Sequence, residues 1–519
     1  MALDASSIAA AVAASAKNVQ FAVEALNLPH KIVIIANYDE TTKTGIEEFK
    51  LYQITSPEDA GDKFGYGFQA HRLAKYAYAG SDGVETWVCP VKFDVAGVQA
   101  TGTLTFVGTI TTAGTLHLYI SGEYVPVTLA KDDTATDMAA AVVAAVTADN
   151  TLPVTASNVA GVVTFTAKDE GVETNNISLK LNLFLEQELP AGITSATIVD
   201  MASGAGVMDL DSALAALGTG DDSNEKFFTE LVHGNGDAAA GLDSISTYNG
   251  PGNDFVGCWA KTVHRPFRSL TGDVVAGSAG LTAAKSLGDG RKLDRTNGQI
   301  SVPGSPNHPG EIAALALGLM AKTNQNRVAE HMVGKVLPGI IPGALADRWT
   351  NDYNNRESAL RSGVSPTIVE DGAVKMQNVA TFYHPDNVPV ANNGYRSQIS
   401  ISKLQNILYN QWLNFEQEKW KGNALVASVA KVSNSNDRQK AKDRQAVIGD
   451  LVALAIQYES KAWVYTASFT IEKLQSEPNR VQIRAGTTGF DILLPVILSG
   501  EAGIFDTVIE FDTSIAVLG

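Results

Sequence analysis

Residues 31–39 read KIVIIANYD, and five consecutive apolar residues run from Ile32 to Ala36. An apolar run without polar alternation is typical of a strand that is buried on both faces. The segment that follows has the features of a helix start. Ser56 can act as the N-cap, Pro57 suits the first helical position, and two acidic residues come next. A buried strand followed by a capped helix indicates an α/β core.

A change of composition marks the segment from 94 to 206, which is rich in Thr, Val, Ala and Gly and nearly free of Arg and Trp. Short runs such as TGTLTFVGTI and GVVTFTAK, separated by glycine-containing turns, are typical of strands. One helix intervenes, with Asp133 or Thr134 as its cap. We therefore predict a β-rich surface domain inserted into the α/β core.

The remainder of the chain alternates helices and strands. We predict a strand in DFVGCWA (254–260), a hairpin that turns at Asp371-Gly372, long helices over 396–422 and 437–463, and further strands within 469–489. The predicted domains are an N-terminal arm (1–27), a discontinuous α/β core (28–93 and 207–345), the inserted domain (94–206), a C-terminal α+β assembly domain (346–502) and a C-terminal arm strand (503–519).

Composition and charge restrict the function. The 519 residues carry a formal net charge of −17, which argues against a nucleic-acid binder, because such affinity comes largely from Lys and Arg. The two cysteines, Cys89 and Cys258, lie in apolar runs and are expected to be buried and unpaired. The first residues lack a signal peptide's basic region, and no apolar run approaches the roughly 18 residues of a membrane span. We expect a protein made in the cytoplasm without membrane insertion.

Motifs for chemistry are missing from the sequence. The eight histidines are scattered, without the spacing of a zinc site, and no glycine-rich stretch ends in the Gly-Lys-Ser/Thr of a phosphate loop. Ser278 lies in AGSAG, where Ala276 occupies the place of the first glycine of a nucleophile elbow. We predict no catalytic, cofactor or metal site, and a hydrolase built on the α/β core remains a lesser alternative.

Both chain ends alternate apolar and polar residues with a period of two, as a strand with one buried face does. The apolar positions are Val19, Phe21, Val23 and Ala25 at one end, and Ile509, Phe511, Thr513, Ile515 and Val517 at the other. From the residues alone, these strands could pair with each other or with the edge of a domain of their own chain.

A basic run in this acidic chain, KVSNSNDRQKAKDRQ, contains Lys431, Arg438, Lys440, Lys442 and Arg444. Such a run is ordinarily a solvated helix face. The alternative is a docking surface for an acidic partner.

Several motifs, in order along the chain, resemble the contractile tail sheath proteins of Mu-like bacteriophages. They are TSPEDAGDKFGYGFQAHRLAKYA (55–77), PGIIPGALADRW (338–349), SALRSGVSP (358–366), GAVKMQNVATFY (372–383), EPNRVQI (477–483) and GIFDTVIEF (503–511). The segment 94–206 also resembles the surface β domain that these sheaths often carry. Pro366 stands where the family has Thr, and Arg356-Glu357 reverses the family's order.

The resemblance implies a multidomain α/β protein whose core has a subtilisin-like fold without a catalytic triad. It implies a non-enzymatic subunit, needing no cofactor, that polymerises into stacked hexameric rings around the tail tube and contracts for genome ejection. In such sheaths the terminal strands leave their subunit and join the C-terminal-domain sheets of neighbours, a form of β-augmentation.

The implied partners are further copies of the chain, the tail tube protein, and baseplate and tail terminator proteins at the ends, with no direct contact to nucleic acid or membrane. Arg438, Lys440, Lys442 and Arg444 are candidate tube contacts. The implied location is the virion, after assembly in the host cytoplasm. A phage-tail-like bacteriocin or a contractile secretion system is the alternative source, which neighbouring genes would distinguish.

Overall fold

The computed structural model describes residues 25–218, 227–250, 257–259, 266–385, 394–484 and 489–500. It shows a mixed α/β multidomain protein whose described residues fall into two compact units. The larger unit spans 27–409, and the smaller unit contains 25–26 together with the described residues from 410 to 500.

The strands and helices of the described residues are as follows. The strands are β1 (Lys31–Asn37), β2 (Tyr52–Ile54), β3 (Glu85–Val91), β4 (Thr101–Gly108), β5 (Gly114–Ile120), β6 (Glu123–Leu129), β7 (Val154–Val159), β8 (Val162–Ala167), β9 (Leu179–Leu181), β10 (Ile193–Ala202), β11 (Glu230–His233), β12 (Arg268–Asp273), β13 (Asn297–Ser301), β14 (Val364–Glu370), β15 (Ala373–Met376), β16 (Ala424–Leu425), β17 (Ala441–Lys442), β18 (Val481–Ile483) and β19 (Phe490–Ile492). The helices are α1 (Pro57–Phe64), α2 (Gln69–Ser81), α3 (Ala135–Ala148), α4 (Leu210–Ala216), α5 (Ala239–Asn249), α6 (Gly277–Gly290), α7 (Pro309–Asn326), α8 (Tyr353–Arg361), α9 (Gln398–Glu416), α10 (Ser435–Gln439), α11 (Arg444–Ser460) and α12 (Ala467–Ser476).

An eight-stranded sheet organises the larger unit, in the order β15-β14-β13-β12-β11-β1-β3-β2. Its inner strands are parallel, and β2 and β15 pair antiparallel at the two edges. Strand β1 is buried on both faces, as predicted, because Ile32 and Ile34 belong to one apolar cluster and Val33 and Ile35 to another. Helices cover both faces, as expected of a parallel sheet.

The two edges of this sheet differ in how they are finished. At one edge β2 has only three residues. At the other edge, residues 334–337 run beside β15, where the Leu337 N–H donates to the Val374 carbonyl and the Met376 N–H donates to the Lys335 carbonyl. The ladder groups of β15 are thereby used within the chain.

The helix predicted from residue 56 forms as two helices. Ser56 caps α1 by accepting a hydrogen bond from the Asp59 N–H at 3.1 Å, and Pro57 is its first residue, as predicted. The chain then breaks at Gly65 (φ 97°) and Gly67 (φ 81°), in the left-handed region that favours glycine. Helix α2 begins at Gln69.

The inserted segment forms two sheets of its own, a four-stranded one in the order β10-β4-β8-β7 and a three-stranded one in the order β6-β5-β9. Both pack with α3 around a separate apolar cluster that includes Leu104, Leu118 and Val142. Thr134 caps α3 in a capping box with Asp137. The two ends of the inserted segment meet where Val98 and Ala205 exchange backbone hydrogen bonds.

The boundary predicted at 346 differs from the division observed in the structure. Strand β14 pairs in parallel with β13, from Gln299↔Val364 to Ser301↔Pro366, so residues 346–409 belong to the larger unit. The predicted hairpin is present, and Asp371 (φ 53°) and Gly372 (φ 76°) form its turn. Pro366 is accommodated inside β14.

Three sequence predictions of secondary structure are wrong. Within the segment predicted as a strand at 254–260, the described residues Gly257–Trp259 form a short 3₁₀ turn, and Gly257 has a φ of 57°. The helix predicted over 437–463 is divided, because Asp443 adopts an extended conformation and caps α11 anew through the Ala446 N–H. Residues 467–476, predicted in part as strand, form α12, capped by Thr466.

Candidate assembly surface of the smaller unit

A two-stranded antiparallel hairpin, β18–β19, lies at the surface of the smaller unit. Val481 pairs with Ile492 and Ile483 pairs with Phe490 on one face, and the Leu493 N–H extends the ladder to the Arg480 carbonyl. Within the described residues neither strand pairs with a third. Among the described residues the hairpin thus has no strand along either outer edge, and an edge of this kind can template a further strand.

The inner face of the hairpin is fixed by an apolar cluster. Val481 is fully buried against Leu451 of α11 and Leu474 of α12, while Phe490 and Ile492 pack at its margin. Ile483 and the nearby Leu493 remain about half exposed. A sheet of two short strands is marginal by itself, so this support from α11 and α12 is what keeps the hairpin in place.

In the structure Ala25 packs against other residues of its own chain. Ala25 is buried, and its N–H donates to the Gln457 side-chain oxygen. The next residue, Leu26, is held at both backbone groups by the Asn410 amide, at 2.7 and 2.8 Å. The other predicted arm residues lie outside the described residues. They are Val19, Phe21, Val23, Ile509, Phe511, Thr513, Ile515 and Val517. Their exchange between subunits stays a prediction.

The four basic residues predicted to contact a partner differ in their exposure and in their contacts. Arg438 and Lys440 are exposed, and Arg438 Nε also donates to the Val432 carbonyl at 2.9 Å. In contrast, the Lys442 ammonium lies 5.5 Å from the ring centre of Trp420. The Arg444 guanidinium donates to the Val481 carbonyl at 2.9 Å, so it ties α11 to the hairpin. Of the four, Arg438 and Lys440 are the ones available to a partner.

Among the described residues, no group of three His, Cys, Asp or Glu side chains could hold a metal ion. None of the described helices has the length and apolar character needed to cross a membrane. Ser278 lies in the first turn of α6. Cys89 and Cys258 are both buried, as predicted. Burial raises the pKa of the Cys89 thiol to about 12, followed by a smaller effect of Glu48.

A buried charged cluster in the larger unit was not predicted. Arg72 of α2 binds Glu311 of α7 (Nη1–Oε1 2.8 Å) and Asp169 of the inserted segment (Nη2–Oδ2 3.2 Å). All three side chains are at most 5% exposed. No local sequence pattern signals the cluster, since Asp169 and Glu311 lie 97 and 239 positions from Arg72.

Comparison with known proteins shows that the chain is similar in sequence to a tail sheath protein. The Mu-like prophage FluMu tail sheath protein of Haemophilus influenzae (strain Rd) is 24% identical over 381 residues, 73% of this chain and 73% of its own. The chain is similar to a Mu-like tail sheath protein. The resemblance noted from the sequence motifs is thus confirmed. No protein-family model matches the chain.

Two solved structures align along most of the chain. The crystal structure of a sheath tail protein from Desulfitobacterium hafniense covers 88% of this chain and 90% of its own, at 12% identity and a TM-score of 0.41. The cryo-EM structure of the PVC sheath complex of an extracellular contractile injection system, in the contracted state, covers 98% of both chains at 9% identity and a TM-score of 0.47. Both scores are below 0.5, so neither alignment bears on function.

Proposed function

We propose that the chain is the structural subunit of a contractile phage tail sheath, which polymerises into stacked rings around the tail tube and shortens to drive the tube through the host envelope. The observation that carries this proposal is the 24% identity to a Mu-like tail sheath protein over 73% of both chains. The work of contraction comes from subunit interfaces, so the subunit acts without catalysis and without a cofactor.

The subunits join by strand exchange in this proposal. The strand predicted at 19–25, up to residue 24, and the strand at 509–517 leave their subunit and add to the sheets of neighbouring smaller units. The hairpin β18–β19, which has no third strand among the described residues, supports this, because an added strand gains main-chain hydrogen bonds at such an edge and brings side chains near the half-exposed Ile483 and Leu493. Since Ala25 is held within its own chain, the exchanged part of the first arm precedes it.

Magnitudes explain why one arm is insufficient. Each fully buried Val, Ile or Phe contributes about 1.5–3 kcal/mol, whereas ordering each arm residue costs roughly 1–2 kcal/mol of backbone entropy. A single exchanged strand is thus marginal. Two arms given and two received per subunit reinforce one another through effective concentration, which favours a continuous lattice over a dimer.

The remaining assignments follow from this function. Residues 28–93 and 207–345 form the α/β core, subtilisin-like in fold without a triad, 94–206 form the surface domain, and the C-terminal assembly domain carries the acceptor hairpin. The ends of the sheath contact baseplate and terminator proteins. Arg438 and Lys440 contact the tube. The protein assembles in the host cytoplasm and becomes part of the virion.

Electron microscopy of the purified full chain tests strand exchange with a matched pair of variants. Ile515→Asp places a charge on the predicted buried face of the last strand, and Ser514→Asp places the same charge on the opposite face. We expect sheath-like tubes from the wild type and from Ser514→Asp, and dispersed subunits from Ile515→Asp. Equal polymerisation of both variants would falsify the exchange of this strand.

A further inference from the structure

The inserted domain contributes a helix cap to the sheet domain that carries it. Helix α2 begins after Phe68, which offers no side-chain cap. Instead, Asp169 Oδ1 accepts a hydrogen bond from the Gln69 N–H at 3.0 Å, while its Oδ2 binds Arg72. A carboxylate at this end of a helix satisfies a free N–H and complements the helix dipole. The start of α2 thus depends on a residue of the inserted domain.

Arg72 makes the connection specific. Its guanidinium donates to Asp169 of the inserted domain, to Glu311 of α7 and, through Nε at 3.1 Å, to the Gly67 carbonyl. Burial raises the pKa of both Asp169 and Glu311, and the nearby guanidinium opposes this effect. Two buried carboxyl groups share one cation, so removing that cation takes from both the ion pair that compensates most of their burial.

A second polar connection lies at the start of α7. His308 Nδ1 accepts a hydrogen bond from the Gly310 N–H at 3.1 Å, so the ring hydrogen is on Nε2, which donates to the Glu173 carbonyl at 3.0 Å. Burial lowers the pKa of His308 to about 3, with a smaller effect of Arg72, and keeps the ring neutral. Beside it, the Ser178 hydroxyl donates to the Pro306 carbonyl.

Steric fit leaves little room for relative motion. A methyl group at Gly67 would lie 2.2 Å from the Leu152 carbonyl oxygen, and one at Gly122 would lie 2.5 Å from the Asn307 amide nitrogen. At Gly67 backbone meets backbone, and at Gly122 the backbone lies against the Asn307 side chain. Close packing of this kind transmits displacement instead of absorbing it.

We propose that the inserted domain and the eight-stranded sheet form one cooperative unit that moves as a rigid body, with Arg72 as the residue that couples them. The inference does not depend on the proposed function. If that function holds, the surface domain follows the orientation of its own core whenever subunits shift, so it cannot swing as a tethered appendage.

Native-state hydrogen exchange of the unassembled full chain in low concentrations of urea tests the coupling. Peptides from β4 and β8 report on the inserted domain, and peptides from β1 and β13 report on the sheet. In the wild type we expect both sets to exchange through the same opening, with the same urea dependence. In Arg72→Met we expect the inserted peptides to exchange roughly 100-fold faster, ahead of the sheet peptides.

The control is Lys75→Met, one turn along α2, which removes the half-exposed ion pair between Lys75 and Glu123 of the inserted domain (2.5 Å). It should leave the two sets of peptides together, since exposed pairs contribute little. If Arg72→Met fails to fold, Asp169→Asn, which keeps the Arg72–Glu311 pair, is measured in its place. Separate openings in the wild type, or a uniform acceleration in the variant, would overturn the proposal.

Discussion

Replacement of Glu173 by glutamine should stabilise the protein at alkaline pH. The Glu173 side chain is buried where the inserted domain meets the sheet, and Oε2 accepts one hydrogen bond, from Asn176 at 3.2 Å. Burial, with a smaller effect of the charge of Asp237, raises the pKa of Glu173 from 4.5 to about 7, against opposing effects of Asn176 and Arg72. The folded protein therefore prefers this carboxyl protonated.

The sign and size of the effect follow from linkage. Because the pKa is higher in the folded state, the folded protein binds more protons between pH 4.5 and 7, and stability falls as the pH rises through this range. A pKa difference of one corresponds to about 1.4 kcal/mol, so full ionisation of Glu173 costs the fold about 3 kcal/mol. Glutamine retains the shape and the acceptor for Asn176 without the charge.

Urea unfolding of wild type and Glu173→Gln, side by side at pH 5 and pH 8, measures this difference. The two midpoints should nearly coincide at pH 5, and the variant should unfold at higher urea at pH 8. Glu170→Gln is the control, because burial, Glu40 and Asp94 also raise the pKa of Glu170, but this residue is more exposed. Glu170→Gln should also raise the urea midpoint at pH 8, but by less than Glu173→Gln does. A gain of equal size at both pH values, or no gain at pH 8, would refute the reasoning.

Two further predictions concern the basic segment of the smaller unit. Reversing Arg438 and Lys440 to glutamate should reduce co-assembly with purified tube protein, scored by microscopy, while reversal of the exposed Lys50 and Arg361 in the larger unit should not. If both pairs behave alike, the tube contact is elsewhere. Arg444→Ala should destabilise the smaller unit by about 1–2 kcal/mol, because it removes the hydrogen bond to the hairpin. Hydrogen exchange of α11 peptides measures this, and Arg438→Ala, which should leave α11 unchanged, is the comparison.

The sequence predicted those features of the fold that depend on residues close together in the chain, namely helix caps, a turn and the burial of β1. The caps at Ser56 and Thr134 were identified because N-cap side chains bond to the N–H of a residue three positions on. The turn at Asp371-Gly372 follows from the preference of these residues for positive φ. The two-sided burial of β1 was readable because its apolar run has no polar interruption.

The incorrect or missing predictions concern features that depend on contacts distant in sequence, or segments whose residue pattern suits a helix and a strand equally well. Residues 467–476 suit either a strand or a helix, and packing of Leu474 against Val481 and α11 decides for the helix. The coupling of Arg72 to Asp169 and Glu311 arises only when three separate segments meet, and no spacing rule reports it. Of the candidate assembly residues, periodicity marked the two terminal strands, but it did not single out the hairpin that we propose as their acceptor.

The finished edges of the eight-stranded sheet have a consequence for the newly made chain. With residues 334–337 beside β15 and only three residues in β2, that sheet offers little backbone for another copy to add to. A large sheet with unpaired edge strands promotes aggregation. The two edges of this sheet are covered or short in the single subunit, before it assembles. In the proposed assembly, neighbouring subunits join at the small β18–β19 hairpin instead, so two eight-stranded sheets that meet by chance form no lasting, misaligned contact.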